Sequence, residues 1–136
     1  AGTWTIPAER MKMRRPHLVP LPYQAVAILR GIQNITGQYH LVFAGRNDTA
    51  RPMSENTVNK CLADLGYKGR QTGHGFRHLI STELNSREYN RDWIERQLAH
   101  GDPDEMRGTY NHASYIEQRR KMMQEWADEI DATEAC

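Results

Sequence analysis

Hydrophobic and polar residues follow two different patterns along the chain, and these patterns predict a short hairpin followed by helices. Residues 3–6 and His17–Leu21 are rich in strand-forming residues. We expect the two strands to pair across the connection PAERMKMRRP, which is long and basic for a hairpin loop. From residue 22 onwards apolar side chains recur every three or four positions, which is typical of helices buried on one face.

The helical spacing predicts several segments, and the breaks between them fall at glycine, proline and capping residues. The predicted helices cover residues 22–37, 54–66, 74–84, 91–98 and 114–130, with a further helix start at 102–103. Ser54 is expected to cap the second helix. Its buried stripe is expected to consist of Val58, Cys61, Leu62 and Leu65. The apolar segment LVFAG at 41–45 is predicted to be a short strand or a loop that dips into the core.

These elements favour an α+β fold that is mostly helical, with a small antiparallel β-sheet. The length of 136 residues suits one domain, 1–136, and 38% hydrophobic residues can form a core. No apolar run approaches the roughly 20 residues that span a bilayer, and the first residues lack a signal-peptide pattern. Cys61 and Cys136 make a poor disulfide framework. We therefore expect free thiols in a reducing compartment and a cytoplasmic location.

Charge is distributed unevenly, although the net formal charge is only +1. Residues 1–77 contain 11 Lys and Arg against 4 Asp and Glu, a balance of +7, whereas residues 78–136 contain 7 against 13, a balance of −6. A basic half is consistent with a polyanionic partner, because phosphate contacts dominate nucleic-acid affinity. Chance clustering on a solvated face would give the same numbers, so charge alone does not choose between these explanations.

The candidate chemistry is concentrated in HGFRHLIST (74–82), LAHG (98–101) and TYNHA (109–113). The guanidinium of Arg77 can compensate the charge that develops on a phosphodiester under attack. His74 and His100 can donate hydrogen bonds or transfer protons near neutral pH. Tyr110 can act as a nucleophile beside a base or positive charge, and Lys12 on the hairpin loop can protonate a leaving oxygen. Together these residues suffice for metal-free phosphoryl transfer through a phosphotyrosine.

Each candidate also has an ordinary structural explanation when it is considered alone. His74 and Arg77 would serve as a surface or capping pair, and His100 as a histidine at a helix end. Tyr110 is one of six tyrosines, and a single tyrosine usually packs. Lys12 lies in a basic loop that could simply be solvated. The chemistry shows that the set could work, and not that it is assembled.

The combination of motifs resembles the C-terminal signature of the tyrosine recombinases. HGFRH is similar to their His-x-x-Arg box. The steps of 23 residues from Arg77 to His100 and of ten residues from His100 to Tyr110 resemble the rest of that signature. The stretches WTIPAERMKMRRPHLVPLP and NRDWIERQLAHG look like integrases of prophages and genomic islands. The resemblance covers nearly the whole chain and implies the helical catalytic domain of that family.

The resemblance implies a role for each candidate residue in site-specific DNA recombination. Tyr110 matches the nucleophile that forms a 3′-phosphotyrosyl bond and frees a 5′-hydroxyl. Arg77 matches the second of two arginines that hold the scissile phosphate. His74 matches the histidine that assists proton transfer at the tyrosine, and His100 the residue that hydrogen-bonds the phosphate. Lys12 matches the general acid that protonates the leaving 5′-oxygen.

The resemblance also implies the partners. We expect double-stranded attachment-site DNA, contacted by the basic loop residues Arg10, Arg14 and Arg15, any of which could compete with Lys12 for the role of general acid. A homotetramer on DNA is expected for the full-length protein. Neither metal, nucleotide nor other cofactor is expected, because the phosphotyrosine conserves the bond energy. No membrane association is expected.

The family pattern further predicts that this chain is a partial catalytic domain. The family's first catalytic arginine precedes the hairpin, and an N-terminal DNA-binding domain precedes that arginine, whereas this chain starts at AGTWTIP. We therefore expect the piece alone to be close to inactive. We also expect the helix at 114–131 to dock on a neighbouring protomer, with packing inside its own chain as the alternative.

Three other interpretations remain open. A DNA-binding module without chemistry would keep the basic half and use Tyr110 for packing. A type IB topoisomerase shares the Tyr, Arg, Lys and His chemistry, although the spacing from LAHG to the tyrosine argues against it. His74 and His78 are four residues apart and could share a metal ion. Zinc sites usually need three or four protein ligands, however, and no Cys or carboxylate at ligand spacing accompanies this pair.

Overall fold

A computed structural model describes residues 2–12, 14–100 and 115–134 of the chain. It confirms the mostly helical α+β fold, with 57% helix and one small sheet. The elements are β1 (Gly2–Ile6), β2 (His17–Leu21), α1 (Tyr23–Thr36), α2 (Thr57–Leu62), α3 (Gly73–Ser86), α4 (Arg91–Gln97) and α5 (Ile116–Glu134). A 3₁₀ turn covers Ala8–Arg10, and a π-helical turn at Ala63–Tyr67 continues α2.

The two strands form the predicted antiparallel hairpin. Gly2 pairs with Leu21 and Ile6 pairs with His17, so the loop that joins the strands is the predicted basic connection. Gly2 is needed where the hairpin meets α1, because a Cβ there would lie 2.8 Å from Cγ2 of Val26. The loop therefore projects from a sheet whose opposite end rests on a helix.

The chain divides into two compact units, and the hydrophobic core lies in the first, which comprises Ala1–Val26 and Glu83–Cys136. In this unit α5 packs on β2 and on α4. The α4 helix begins where the Asn90 side chain accepts a hydrogen bond of 2.8 Å from the backbone N–H of Asp92. The buried apolar side chains are Pro20, Leu84, Ile94, Leu98, Met122 and Ala127.

Helix α5 packs on the first unit of its own chain, which is the alternative that the sequence left open. Docking on a neighbouring protomer stays a prediction for the full-length protein. Met122 is fully buried, whereas Ile130 remains 43% exposed. Along the helix, Oε1 of Gln124 accepts a hydrogen bond from the backbone N–H of Tyr23 at 2.9 Å. Tyr89 donates to the carboxylate of Glu125. Contacts inside the first unit therefore bury Met122 fully and the rest of the apolar stripe of α5 only in part.

The second unit, Ala27–Thr82, is described throughout, and none of its side chains is fully buried. The predicted buried stripe of the second helix is therefore wrong: Val58 is 42% exposed, Leu65 is 69% exposed and Cys61 is an exposed free thiol. The stripe assumed one regular helix up to Gly66. In the structure α2 has six residues and widens into the π-helical turn, which changes the phase of later side chains.

Two local predictions in the second unit are also wrong. The second helix begins at Thr57 and not at Ser54, and its N-cap position, Asn56, makes no side-chain cap. The segment at 41–45 is a turn joined to the chain by one bridge between Ala44 and Pro52, and its Phe43 is 52% exposed. It is neither a strand nor part of a core. Among the helices that the structure describes, none is long and apolar enough to cross a membrane.

Candidate functional site

The basic candidates of the hairpin lie on the loop between β1 and β2, in the first unit. Lys12, Arg10, Arg14 and Arg15 are all exposed. Arg14 has a φ of 49°, a left-handed conformation that marks a sharp turn in the loop. The loop thus presents a dense group of cations to solvent, which suits phosphate binding better than packing.

His100 lies just after α4, in the first unit, and Glu95 holds its ring in place. Ala99 adopts a left-handed φ of 51°, which turns the chain back so that the backbone N–H of His100 donates to the Glu95 carbonyl at 3.0 Å. The ring atom Nδ1 lies 2.6 Å from Oε2 of Glu95. A partner on Nδ1 fixes the ring orientation and directs Nε2 away from the carboxylate. This exposed pair contributes little stability, so its main effect is orientation.

His74 and Arg77 lie in the first turns of α3, in the second unit. The helix start is well defined, because the Thr72 hydroxyl accepts from the Gly75 N–H at 2.9 Å and Oδ1 of Asn59 accepts from the Gly73 N–H at 2.9 Å. His74 is exposed and Arg77 is half-buried. A spacing of three places both on one face of the helix.

His78 lies inside α3 and does not pack in a core. It is exposed, and its ring contacts that of His74 edge to face, with centroids 4.8 Å apart and planes at 85°. Over the described parts of the chain, no group of three or more His, Cys, Asp or Glu could hold a metal ion.

Tyr110 lies outside the described residues, as does the predicted helix start at 102–103. The structure places His74 and Arg77 together in the second unit, and Lys12 and His100 in the first. The assembly of all five around one phosphate therefore stays a prediction. Tyr115, the other tyrosine of this segment, is half-buried with a φ of 45°, and its carbonyl accepts from the Arg119 N–H at 2.8 Å at the start of α5.

The first unit contains a buried arginine that the sequence reasoning missed. Arg119 is 1% exposed, and its Nη2 donates to the Leu18 carbonyl at 2.6 Å while its Nε donates to Oε1 of Gln97 at 3.0 Å. Burial, with the positive charge of Arg96 nearby, lowers the pKa of Arg119 to about 10, so the side chain stays charged at neutral pH. Its position three residues before the buried Met122 is the only sequence signal, because that spacing places both on one helix face.

His17 is a second buried polar residue that the sequence did not indicate. It is 8% exposed, and within the described structure its Nε2 is a buried atom without a hydrogen-bond partner. Burial, followed by the charge of Arg119 and more weakly that of Arg96, lowers the pKa of His17, while a hydrogen bond to the backbone of Gln97 opposes this shift. The folded chain therefore favours a neutral His17 on β2, beside Gln97 of α4.

Comparison with known proteins gives a consistent result. Residues 1–117 match the Phage integrase family. The chain is 48% identical over 128 residues to the prophage integrase IntS of Escherichia coli K12, and 47% identical over 128 residues to the integrase of Shigella phage Sf6. It is 41% identical over 144 residues to the integrase of Enterobacteria phage P4.

These alignments cover most of this chain and a minor part of each relative. They include 93%, 93% and 94% of the chain, in the same order, but 33% of each relative. The chain therefore spans about a third of the length of the curated relatives it matches. No solved structure shows significant similarity to it.

Proposed function

Because the chain belongs to the phage integrase family, we propose that its full-length protein integrates and excises a mobile DNA element by site-specific recombination. The observation that carries the proposal is the exposure of Lys12, His74 and His100, which removes core packing as the reason for their presence. All three belong to the signature that resembles the tyrosine recombinases, and their exposure leaves them accessible to DNA.

Strand cleavage exchanges one phosphoester bond for another. The Tyr110 oxygen attacks the scissile phosphorus and forms a Tyr–O–P bond to the 3′ side of the nick, while its proton passes to His74. The bond from phosphorus to the 5′-oxygen breaks, and that oxygen leaves with the bonding electrons and takes a proton from Lys12. Religation is the same sequence in reverse, with a 5′-hydroxyl as the nucleophile.

The charge that develops on the non-bridging oxygens is compensated by Arg77 and His100. Arg77 supplies two parallel N–H donors, and its place near the start of α3 adds the partial positive charge of a helix N-terminus. His100 supplies Nε2, the ring nitrogen that does not contact Glu95. Losing a donor of this kind typically costs about 10²–10³ in rate.

The reaction as proposed needs neither metal nor nucleotide, since the phosphotyrosine keeps the energy of the broken bond. Its partner is double-stranded attachment-site DNA, with Arg10, Arg14 and Arg15 contacting phosphates beside the cleavage point. Recombination joins two sites and four strands, which fits a homotetramer on DNA. The proposed location is the cytoplasm. The present chain would supply most of the catalytic domain.

The test is a covalent-adduct assay with the full-length protein in EDTA. Nicked DNA carrying the element's attachment site traps the intermediate, because the short 5′ fragment diffuses away after cleavage. We expect a protein–DNA adduct for the wild type and none for Tyr110→Phe, with equal DNA binding by both. Tyr39→Phe, which changes a tyrosine outside the signature, is the matched control and should form adduct normally. Binding without any adduct by the wild type would instead support a non-catalytic DNA-binding module.

A further inference from the structure

We propose that Arg119 is a positioning residue that fixes the hairpin loop, the end of α4 and the start of α5 relative to one another. This inference rests on the proposed function, because each of these segments leads to a proposed catalytic residue. Arg119 takes no part in the bond changes of the proposed reaction. It acts through the elements that its guanidinium joins.

The geometry of the contacts supports this role. Nη2 of Arg119 donates to the Leu18 carbonyl of β2 at 2.6 Å, and Nε donates to Oε1 of Gln97, the last residue of α4, at 3.0 Å. Arg119 itself lies in the first turns of α5. One planar, rigid group therefore holds oxygens from two other elements at fixed separation, which a flexible single-point donor such as lysine cannot do.

The three elements are close in sequence to the proposed chemistry. Leu18 follows Lys12 by six residues, Gln97 precedes His100 by three, and Arg119 follows Tyr110 by nine. A shift of β2, α4 or α5 would therefore move the general acid, the phosphate-binding histidine or the nucleophile segment. Catalytic geometry is sensitive to such movements, since a displacement of about 1 Å can cost about 100-fold in rate.

The burial of Arg119 argues that geometry, and not only stability, is the reason for the arginine. The side chain is 1% exposed, and His17 beside it is also buried. Removing a guanidinium from water is expensive, and well-packed apolar residues often stabilise a helix contact at least as well as a buried charge. An apolar residue at this position could hold α5 in the core, but it could not set the distances to two specific oxygens.

Arg120 provides a matched control on the same helix. It donates to the Gly2 carbonyl and to Oγ1 of Thr3, both at 3.1 Å, so these bonds join α5 to the first residues of β1 and not to β2 or α4. The substitution Arg120→Met removes the same chemical group from the same helix as Arg119→Met. Any effect common to both variants reports the loss of a helix contact in general.

The experiment compares Arg119→Met, Arg119→Lys and Arg120→Met in the full-length protein. Folded fraction, dissociation constant for attachment-site DNA and single-turnover cleavage rate are measured for each. We expect both Arg119 variants to bind DNA as the wild type does and to cleave it about 10–100-fold more slowly. Arg120→Met should cleave at the wild-type rate. A 5′-bridging phosphorothiolate, which needs no general acid, should recover part of the loss in the Arg119 variants, because part of it comes from a displaced Lys12.

Three outcomes would overturn the proposal: normal cleavage by Arg119→Lys, an equal loss in Arg120→Met, or a cleavage loss that only follows the unfolded fraction. If Arg119→Met does not fold, Gln97→Leu removes the hydrogen bond between Arg119 and the end of α4, near His100, and leaves the bond to Leu18 in place. This variant should bind DNA normally and cleave slowly, and normal cleavage would refute a role for the contact between Arg119 and Gln97. Failure of the wild type to form an adduct would contradict the proposed function instead, so the two failures are distinguishable.

Discussion

Two isoleucines test whether the first unit contains the core that holds the chain together. Ile94 in α4 is 0% exposed, whereas Ile28 in α1 is 64% exposed. Both lie inside helices, so Ile→Ala changes helix propensity by the same few tenths of a kcal/mol at each position. The pair therefore isolates the contribution of burial.

The expected losses in the free energy of unfolding differ several-fold. Truncating a fully buried isoleucine typically costs about 2–5 kcal/mol, because transfer energy is lost and a cavity remains. Full burial of such a side chain is worth about 1.5–3 kcal/mol, and Ile28 buries about a third of its surface, which leaves about 0.5–1 kcal/mol at stake. Against a total stability of about 5–15 kcal/mol, Ile94→Ala should be severe and Ile28→Ala mild.

Urea denaturation of the 136-residue chain, followed by circular dichroism, measures both losses. The wild-type transition must be cooperative, and the m-value must be the same in both variants for the midpoints to report stability. We expect the midpoint of Ile94→Ala to fall much further than that of Ile28→Ala. Equal shifts would refute the assignment of the core to α4, α5 and β2.

Further predictions concern the chemistry and its pH dependence. Lys12→Ala and Arg77→Ala should both cleave attachment-site DNA slowly, but a 5′-bridging phosphorothiolate should rescue only Lys12→Ala. A better leaving group replaces the general acid, whereas it does not replace the arginine that holds the phosphate. Equal rescue of both variants would refute this division of roles. Glu95→Gln should slow cleavage by roughly 10–100-fold through a misoriented His100 while DNA binding is unchanged, and an unchanged rate would show that the contact is incidental. Because the pKa of His17 is lowered on folding, its contribution to stability should be complete above its ordinary pKa of about 6.5, and should be lost as the pH falls below that value and through the lower pKa of the folded chain. Thermal unfolding between about pH 5 and pH 8 should show a smaller pH dependence in His17→Gln, and an identical dependence would contradict the assignment.

The hairpin and the long helices could be predicted because their signals are local. The strands and the helices α1, α3, α4 and α5 all occur within a few residues of the predicted positions. The second helix was misjudged because its apolar spacing does not reveal the π-helical turn that follows Leu62. The spacing also cannot show how much neighbouring surface is available to cover a stripe, which explains the exposed Val58 and Leu65.

The candidate site was predictable in its residue types and not in its supporting contacts. The signature of Arg77, His100 and Tyr110 is a pattern of identity and spacing, which a sequence displays directly. The contact between Glu95 and His100 depends on the left-handed turn at Ala99, and no regular helical spacing produces it. Charged residues on an amphipathic helix are usually solvated, and only the packing of α5 on β2 and α4 shows that Arg119 is buried.

The most direct test of the central claim is to identify the residue that becomes linked to DNA. The trapped adduct of the full-length protein is digested with nuclease and trypsin, and the DNA-modified peptide is sequenced by mass spectrometry. Cleavage after Arg107 and Arg119 gives the peptide GTYNHASYIEQR, which contains both Tyr110 and Tyr115, so fragment ions between them locate the phosphate. We predict a 3′-phosphonucleotide on Tyr110. Modification of Tyr115 or of another residue, or a protein that recombines DNA without any covalent adduct, would contradict the proposed mechanism.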